Sequence, residues 1–116
     1  MPRTQVLRGP SGVLLDDVSI ADRPWSRARG LLGRDGLGPR EGLLIRRASR
    51  VHTFGMRFPI DVIFCDASMR VMGVQTLAPN RLSRRFRGAR HCLEAAAGWA
   101  GAAGIAAGVD LKLEDA

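Results

Sequence analysis

The residue types able to do chemistry are few in this sequence, and they gather in the stretch VHTFGMRFPIDVIFCD, residues 51–66. Glycine and proline punctuate its first half, which is therefore predicted to be a loop, where binding residues concentrate. His52 can act as an acid, a base or a metal ligand, and Asp61 can act as an acid or a base. Large apolar side chains between them could form the wall of a pocket. The candidate ligand-binding residues are His52, Phe54, Met56, Arg57 and Asp61, with Arg29 from an earlier segment.

Asp61 and His52 also have a structural interpretation. Asp61 opens the strongest strand signal in the chain and is predicted to face opposite to Ile60 and Val62. A lone buried carboxylate is costly, so a buried Asp61 would need Arg57, Arg29 or backbone N–H groups as partners. The sequence leaves open whether these two residues line a site or only hold the loop in place.

A second hypothesis makes the protein a hydrolase-like enzyme that uses Asp61 and Glu94 as acid and base. Glu94 lies in a predicted strand, and the hypothesis requires both carboxylates to converge on one cleft. Carboxylates on opposite sides of the sheet would exclude it. The sequence contains neither a G-x-S-x-G elbow nor a distinct Cys–His pair, so it favours a non-enzymatic function over this one.

A third hypothesis rests on charge, since the formal net charge is +7. Residues 67–93 contain six arginines and no acidic residue. Such a segment could bind nucleic acid or an acidic partner by electrostatic attraction. Nucleic acid is the disfavoured partner, because no helix-turn-helix, RNP or zinc-finger signature accompanies the cluster. The cluster consists of Arg81, Arg84, Arg85, Arg87 and Arg90.

Metal and redox chemistry have little support in the sequence. His52 and His91 are the only histidines and do not have His-x-x-x-His spacing, so we expect no metal and no cofactor. Cys65 and Cys92 lie in apolar runs outside any C-x-x-C pair and are predicted to be small buried residues. A disulfide between them remains open if their strands are neighbours.

The length of 116 residues predicts one domain, residues 1–116, and 46% apolar with 25% charged residues is typical of globular proteins. No apolar run approaches the roughly 18–20 residues of a membrane span. The N-terminus lacks the apolar region of a secretory signal. We therefore expect a basic bacterial protein located in the cytoplasm.

Alternating and β-branched patterns predict strands, and helical spacing predicts two short helices at residues 22–33 and 98–107. The second helix contains three glycines, each costing about 1 kcal/mol relative to alanine, so it would depend on tertiary packing. The expected fold class is α+β, with a mostly antiparallel sheet curled into a small barrel-like core. The predicted strands are residues 5–8, 13–18, 42–45, 60–65, 71–77, 90–95 and 111–113.

Several of these motifs together resemble the domain of unknown function 192 family. They are Arg29-Gly30-Leu31-Leu32-Gly33-Arg34, HTFGMRFPIDVIFCD, Leu93-Glu94 with Ala97-Gly98, Gly104-Ile105 and Gly108-Val109-Asp110. The resemblance implies a small prokaryotic α+β domain with a curled sheet and no established activity. The positions that match the family pattern are Arg29, Gly30, Phe54, Met56, Pro59, Asp61, Glu94, Gly98 and Gly108.

The sequence departs from a common form of the family motif at Gly55, where relatives carry Trp, and after Met56, where a Lys-Asn-Thr insertion is missing. Many relatives also carry an N-terminal signal or membrane anchor, which we do not find here. From residues and resemblance together, the favoured function is a non-enzymatic module. It would bind an unknown small ligand or protein segment through the His52 to Asp61 loop.

Overall fold

The computed structural model describes residues 4–21 and 31–116, and within them the chain forms one seven-stranded sheet. The sheet order is β5-β4-β6-β3-β2-β1-β7, and its one parallel pair is β2 with β3. The strands are β1 (Gln5–Gly9), β2 (Gly12–Ala21), β3 (Glu41–Arg46), β4 (Ile60–Cys65), β5 (Val71–Leu77), β6 (His91–Ala96) and β7 (Lys112–Asp115), and a four-residue helix, α1 (Trp99–Ala102), precedes β7.

The predicted α+β class with a barrel-like core is wrong. Of the described residues, 46% are in strands or bridges and 4% are helical, and the sheet is open because β5 and β7 do not pair with each other as strands. Of the helix predicted at residues 98–107, only α1 (Trp99–Ala102) is helical, because Gly98 and Gly104 on either side of it adopt positive φ. Most of the helix predicted at residues 22–33 lies outside the described residues.

The predicted strands are confirmed, and β4 and β5 have the predicted bounds. These two strands form the expected antiparallel hairpin. Its turn is stabilised by Asp66, whose Oδ1 accepts hydrogen bonds from the backbone N–H groups of Ser68 and Arg70 at 2.8 and 3.0 Å. Within the described residues, no helix is long and apolar enough to cross a membrane.

Alternation along the strands gives the sheet two buried faces. On one face, Ile60, Val62 and Phe64 pack with Leu43 and other apolar residues under two long loops. We call these loops, residues 47–58 and 78–90, the cover, and this side the cover face. The other side is the helix face, where residues such as Ile63, Cys65 and Leu93 pack against Ala100 of α1 and Ile105.

Main-chain hydrogen bonds hold the two loops of the cover side by side and antiparallel. The Thr53 N–H donates to the carbonyl of Arg81 at 2.8 Å, and the Ser83 N–H donates to the carbonyl of Val51 at 2.8 Å. The Phe86 ring fixes the cover to the sheet by stacking on Phe64, with ring centroids 4.2 Å apart. The cover therefore presents a firmly held outer surface.

Candidate functional site

Asp61 is a buried anchor on the helix face, with 2% of its surface exposed. Its Oδ2 accepts hydrogen bonds from the N–H groups of Gly98 and Ala100 at 3.1 and 2.9 Å. The hydroxyl of Thr76, directly opposite on β5, donates to Oδ1 at 2.7 Å. The carboxylate thus joins β4 and β5 to the start of α1, and Arg57 does not contact it.

Glu94 is also buried, with 3% exposed, but it lies on the cover face between Leu43 and Val62, its partners on the two neighbouring strands. No hydrogen bond or ion pair within the described part of the chain involves this carboxylate. Burial raises the pKa of Glu94 to about 7, because the ionised form is poorly solvated there.

Asp61 and Glu94 do not share a cleft. Asp61 lies opposite Ala95 of β6, whereas Glu94 lies opposite Val62 of β4. Because residues directly opposite in an antiparallel pair point to the same side, the two carboxylates point to opposite faces of the sheet. The acid and base pair of the hydrolase hypothesis therefore lacks the convergence that it requires.

The loop that contains His52 has one side packed inward and one side facing out. Thr53, Met56 and Phe58 are buried under the loop, whereas His52 and Phe54 are exposed. The predicted ligand-binding residues therefore lie in three separate environments. Met56 belongs to the cover-face core, Asp61 belongs to the opposite face, and the two aromatic rings lie on the outside.

Exposed apolar groups meet on this outer side. The rings of His52 and Phe54 stack with centroids 5.0 Å apart, and the Phe54 N–H donates to His52 Nδ1 at 3.2 Å. His52 forms an isolated β-bridge with Leu82, so their side chains share one side. Leu32 lies over Gly55, where an added Cβ would come within 3.3 Å of its methyl group. The apolar patch is defined as Leu32, His52, Phe54 and Leu82, of which Leu32 is 46% exposed and Phe54 and Leu82 are each 51% exposed.

The predicted arginine cluster is fully displayed on the surface. Its five members are exposed, and none of them occurs in the ion pairs found among the described residues. The Arg84 guanidinium lies over the Phe86 ring at 5.4 Å. Arg90 is the last residue of the cover and directly precedes β6, so we define the arginine arc by the other four, Arg81, Arg84, Arg85 and Arg87.

Two further candidates are placed differently. Arg57 is exposed and pairs with Asp35 at 3.0 Å. Arg29 lies outside the described residues, so the structure says nothing of it. In the part of the chain that is described, no group of three or more His, Cys, Asp or Glu residues is placed to hold a metal ion.

The two cysteines are free and buried, and they lie on opposite faces of the sheet. Phe64 is opposite Cys92 and His91 is opposite Cys65, so their Cβ atoms point apart. A disulfide between them would need the backbone to move. Burial raises the pKa of both thiols to about 12.

Sequence reasoning missed Thr76, Leu32, Leu82 and His91. Thr76 lies opposite Asp61 only because a β-bulge between Phe64 and Cys65 shifts the register of the hairpin, and counting residues from the turn would have placed Gln75 there. Leu82 could not have been found either, because only the pairing of the two loops brings it to His52. His91 keeps Nδ1 buried without a hydrogen-bond partner in the described structure, and burial lowers the pKa of its ring.

Comparisons with known proteins agree on the family and leave its activity open. A model of the DUF192 family, described as an uncharacterized ACR, matches residues 7–113. The chain is 37% identical over 84 residues to the UPF0127 protein PH1112 of Pyrococcus horikoshii, a match that covers 67% of this chain and 70% of that protein.

Two solved structures are similar in fold. One is a protein of unknown function from Novosphingobium aromaticivorans, with a TM-score of 0.81 and 24% identity over 93% of this chain and 82% of that one. The other is a Sinorhizobium meliloti protein whose description proposes it as a transcription regulator, with a TM-score of 0.81 and 22% identity over 97% and 96% of the two chains. At these identities, the likeness shows the shared fold alone.

Proposed function

The chain belongs to the DUF192 family, and we propose that it is a non-enzymatic binding module whose apolar patch receives apolar side chains of a partner polypeptide. The observation that carries the proposal is the patch itself. Three large apolar side chains that are about half exposed, together with a histidine ring, face outward from one small area. Contiguous exposed apolar surface of this kind is typical of interaction sites.

The backbone beneath the patch is held by hydrogen bonds, so a partner could bind without a rearrangement of the loop. Thr53 is completely buried, and its hydroxyl donates to the carbonyl of Ala78 at 2.6 Å and accepts from the Arg81 N–H at 2.9 Å. The Gly55 N–H donates to Asn80 Oδ1 at 2.9 Å. Because these bonds fix the backbone on both sides of His52 and Phe54, the partner would meet preorganised rings and less entropy would be lost on binding.

A polypeptide segment fits this surface better than a small molecule would, because the predicted ligand-binding residues do not come together around one pocket. Met56 and Asp61 are committed to opposite faces of the sheet and do not join the exposed rings. What remains is an outward surface of aromatic and aliphatic groups, the kind that anchors protein partners. The separation of Asp61 from Glu94 likewise favours binding over acid and base catalysis.

A random dodecapeptide library displayed on phage provides the probe for this proposal. Peptides enriched on the wild-type protein are synthesised with a fluorophore, and their dissociation constants are measured by anisotropy. We expect peptides with Leu, Ile or Phe to be enriched, and the double variant F54A/L82A to bind them at least tenfold more weakly, a loss of about 1.4 kcal/mol.

The matched control is Val13→Ala, which truncates another exposed apolar residue, 40% exposed, on β2. It should leave the dissociation constants unchanged, and thermal unfolding should show that both variants remain folded. A library with no enrichment, or a folded F54A/L82A protein that binds the enriched peptides as tightly as wild type, would refute the proposed function.

A further inference from the structure

The arginine arc lies next to the apolar patch on the same segment of the cover. Leu82 of the patch falls between Arg81 and Arg84, and the main chain of this segment is held from both sides. The Arg84 N–H donates to Gln75 Oε1 of β5 at 2.8 Å, and the Ser83 N–H is bonded to Val51. The arginines therefore extend from a fixed backbone.

The charge of the arc is uncompensated, in contrast to that of other arginines. Arg8, Arg34 and Arg40 each form a close ion pair with a carboxylate, at 2.6, 2.6 and 2.5 Å. The arc takes part in none of the ion pairs found within the described ranges, and residues 67–93 contain no acidic side chain that could supply one locally. Positive potential therefore accumulates beside the patch.

Resting on the proposed function, we propose that the partner segment is acidic, with Asp or Glu residues flanking the apolar side chain that enters the patch. An arginine presents a planar fork of donors that matches a carboxylate through two parallel hydrogen bonds. The guanidinium carbon of Arg84 lies over the Phe86 ring, 5.4 Å from its centroid, and Arg84 takes part in none of the ion pairs found among the described residues, so its donors are available to a partner.

Phosphates would satisfy the same arginines, so a single-stranded nucleic acid is the competing occupant. Nucleic-acid surfaces of that kind pair cations with aromatic platforms on which bases stack. Here Leu32 and Leu82 supply aliphatic groups beside the rings, and aliphatic groups favour an apolar side chain over a base. The composition of the patch therefore favours an acidic polypeptide over a single-stranded nucleic acid as the partner.

The test uses the enriched dodecapeptides and two variants that each lose two positive charges. R84Q/R85Q removes charge from the arc, and R8Q/K112Q is its matched control on β1 and β7. We expect the enriched peptides to be acidic relative to the unselected library. We expect R84Q/R85Q to weaken their binding at least tenfold and the control to change it less than twofold. Replacing Asp and Glu in a peptide by Asn and Gln should reproduce the loss on wild-type protein.

The remaining outcomes separate this inference from the proposed function. If F54A/L82A loses binding while R84Q/R85Q binds like wild type, or if the enriched peptides show no acidic bias, the partner is not acidic and the patch proposal stands. If neither double variant weakens binding, both proposals fail. A labelled dodecamer of deoxythymidine that binds more tightly than the best acidic peptide overturns the inference in favour of nucleic acid.

Discussion

Among the described residues, two carboxylates are buried, on the neighbouring strands β4 and β6, and their environments are opposite. Asp61, on the helix face, accepts three hydrogen bonds, from Thr76 of β5, from Gly98 just before α1 and from Ala100 within α1. Glu94, on the cover face, lies between the apolar residues Leu43 and Val62, and burial raises its pKa. Both are almost fully buried, so exposure alone does not distinguish them.

The difference indicates that a buried acid can either stabilise or destabilise the folded protein, depending on its surroundings. A carboxylate with donors around it holds separate elements together, and removing it leaves those donors unsatisfied. A carboxylate among apolar groups is tolerated mainly in its protonated form. The sheet therefore carries a stabilising anchor on one face and a pH-dependent weakness on the other.

The largest expected effect is that of Asp61→Ala. It would leave the N–H groups of Gly98 and Ala100 and the hydroxyl of Thr76 without their acceptor, so we expect the free energy of unfolding to fall by about 4 kcal/mol. Urea unfolding at pH 7 measures this change. Thr76→Val is the control, since it removes one donor and should cost about 1 kcal/mol. Equal losses in the two variants would show that α1 does not depend on Asp61.

The next largest effect concerns the pH dependence caused by Glu94. The folded protein keeps a proton on Glu94 up to about pH 7, whereas the unfolded chain releases it near pH 4.5. Between these two pH values only the unfolded chain is ionised at Glu94, and this ionisation stabilises the unfolded state. The free energy of unfolding should therefore fall by about 3 kcal/mol as the pH rises from 4.5 to 7, and then level off.

Glu94→Gln should abolish this decrease and make the variant more stable than wild type at pH 8. Denaturant unfolding between pH 4.5 and 8 checks both statements. Glu114→Gln is the matched control, because the pKa of that half-buried carboxyl is lowered overall, chiefly by the hydrogen bond from Arg8. A wild-type profile that does not fall over this interval would contradict the assignment.

Much of the arrangement behind this contrast was predictable from the sequence. The alternation of residues 60–65 placed Asp61 opposite to Val62, and the hairpin to residues 71–77 was confirmed. Asp61 itself was recognised as a residue that would need partners if buried. Local pattern suffices for these features because a strand repeats every two residues.

The partners of Asp61 and the isolation of Glu94 were not predictable in the same way. The N–H groups that bind Asp61 come from residues 98–100, and their position depends on how the chain folds back after β6. The pairing of Glu94 with Leu43 and Val62 depends on sheet order, since β6 lies between β3 and β4. Long-range order of this kind is not contained in a local pattern, and the apolar patch was missed for the same reason.

A smaller change in stability is expected from glycine-to-alanine substitutions, which test how tightly each face of the sheet is packed. A Cβ added to Gly73 would point to the cover face and lie 2.6 Å from Phe86 Cζ, so Gly73→Ala must displace the ring that fixes the cover. We expect a loss of about 1–2 kcal/mol. Gly101→Ala, in α1 beside the helix face, has open space around its Cβ and should be neutral or stabilising by up to about 1 kcal/mol. Thermal unfolding of both variants measures the difference, and a stable Gly73→Ala protein would show that Phe86 is not essential to the cover.

The smallest expected effect is that of oxidation, because the two faces also separate the cysteines. Cys65 and Cys92 point to opposite sides, and burial keeps each thiol protonated with a pKa of about 12. Thiolate is the reactive form, so the native protein should react slowly with a thiol reagent and form no internal disulfide under diamide. Mass spectrometry and the unfolding temperature before and after treatment check this expectation. Rapid formation of a disulfide within the native chain would mean that the two faces are not separated as described, and the contrast between Asp61 and Glu94 would then need revision as well.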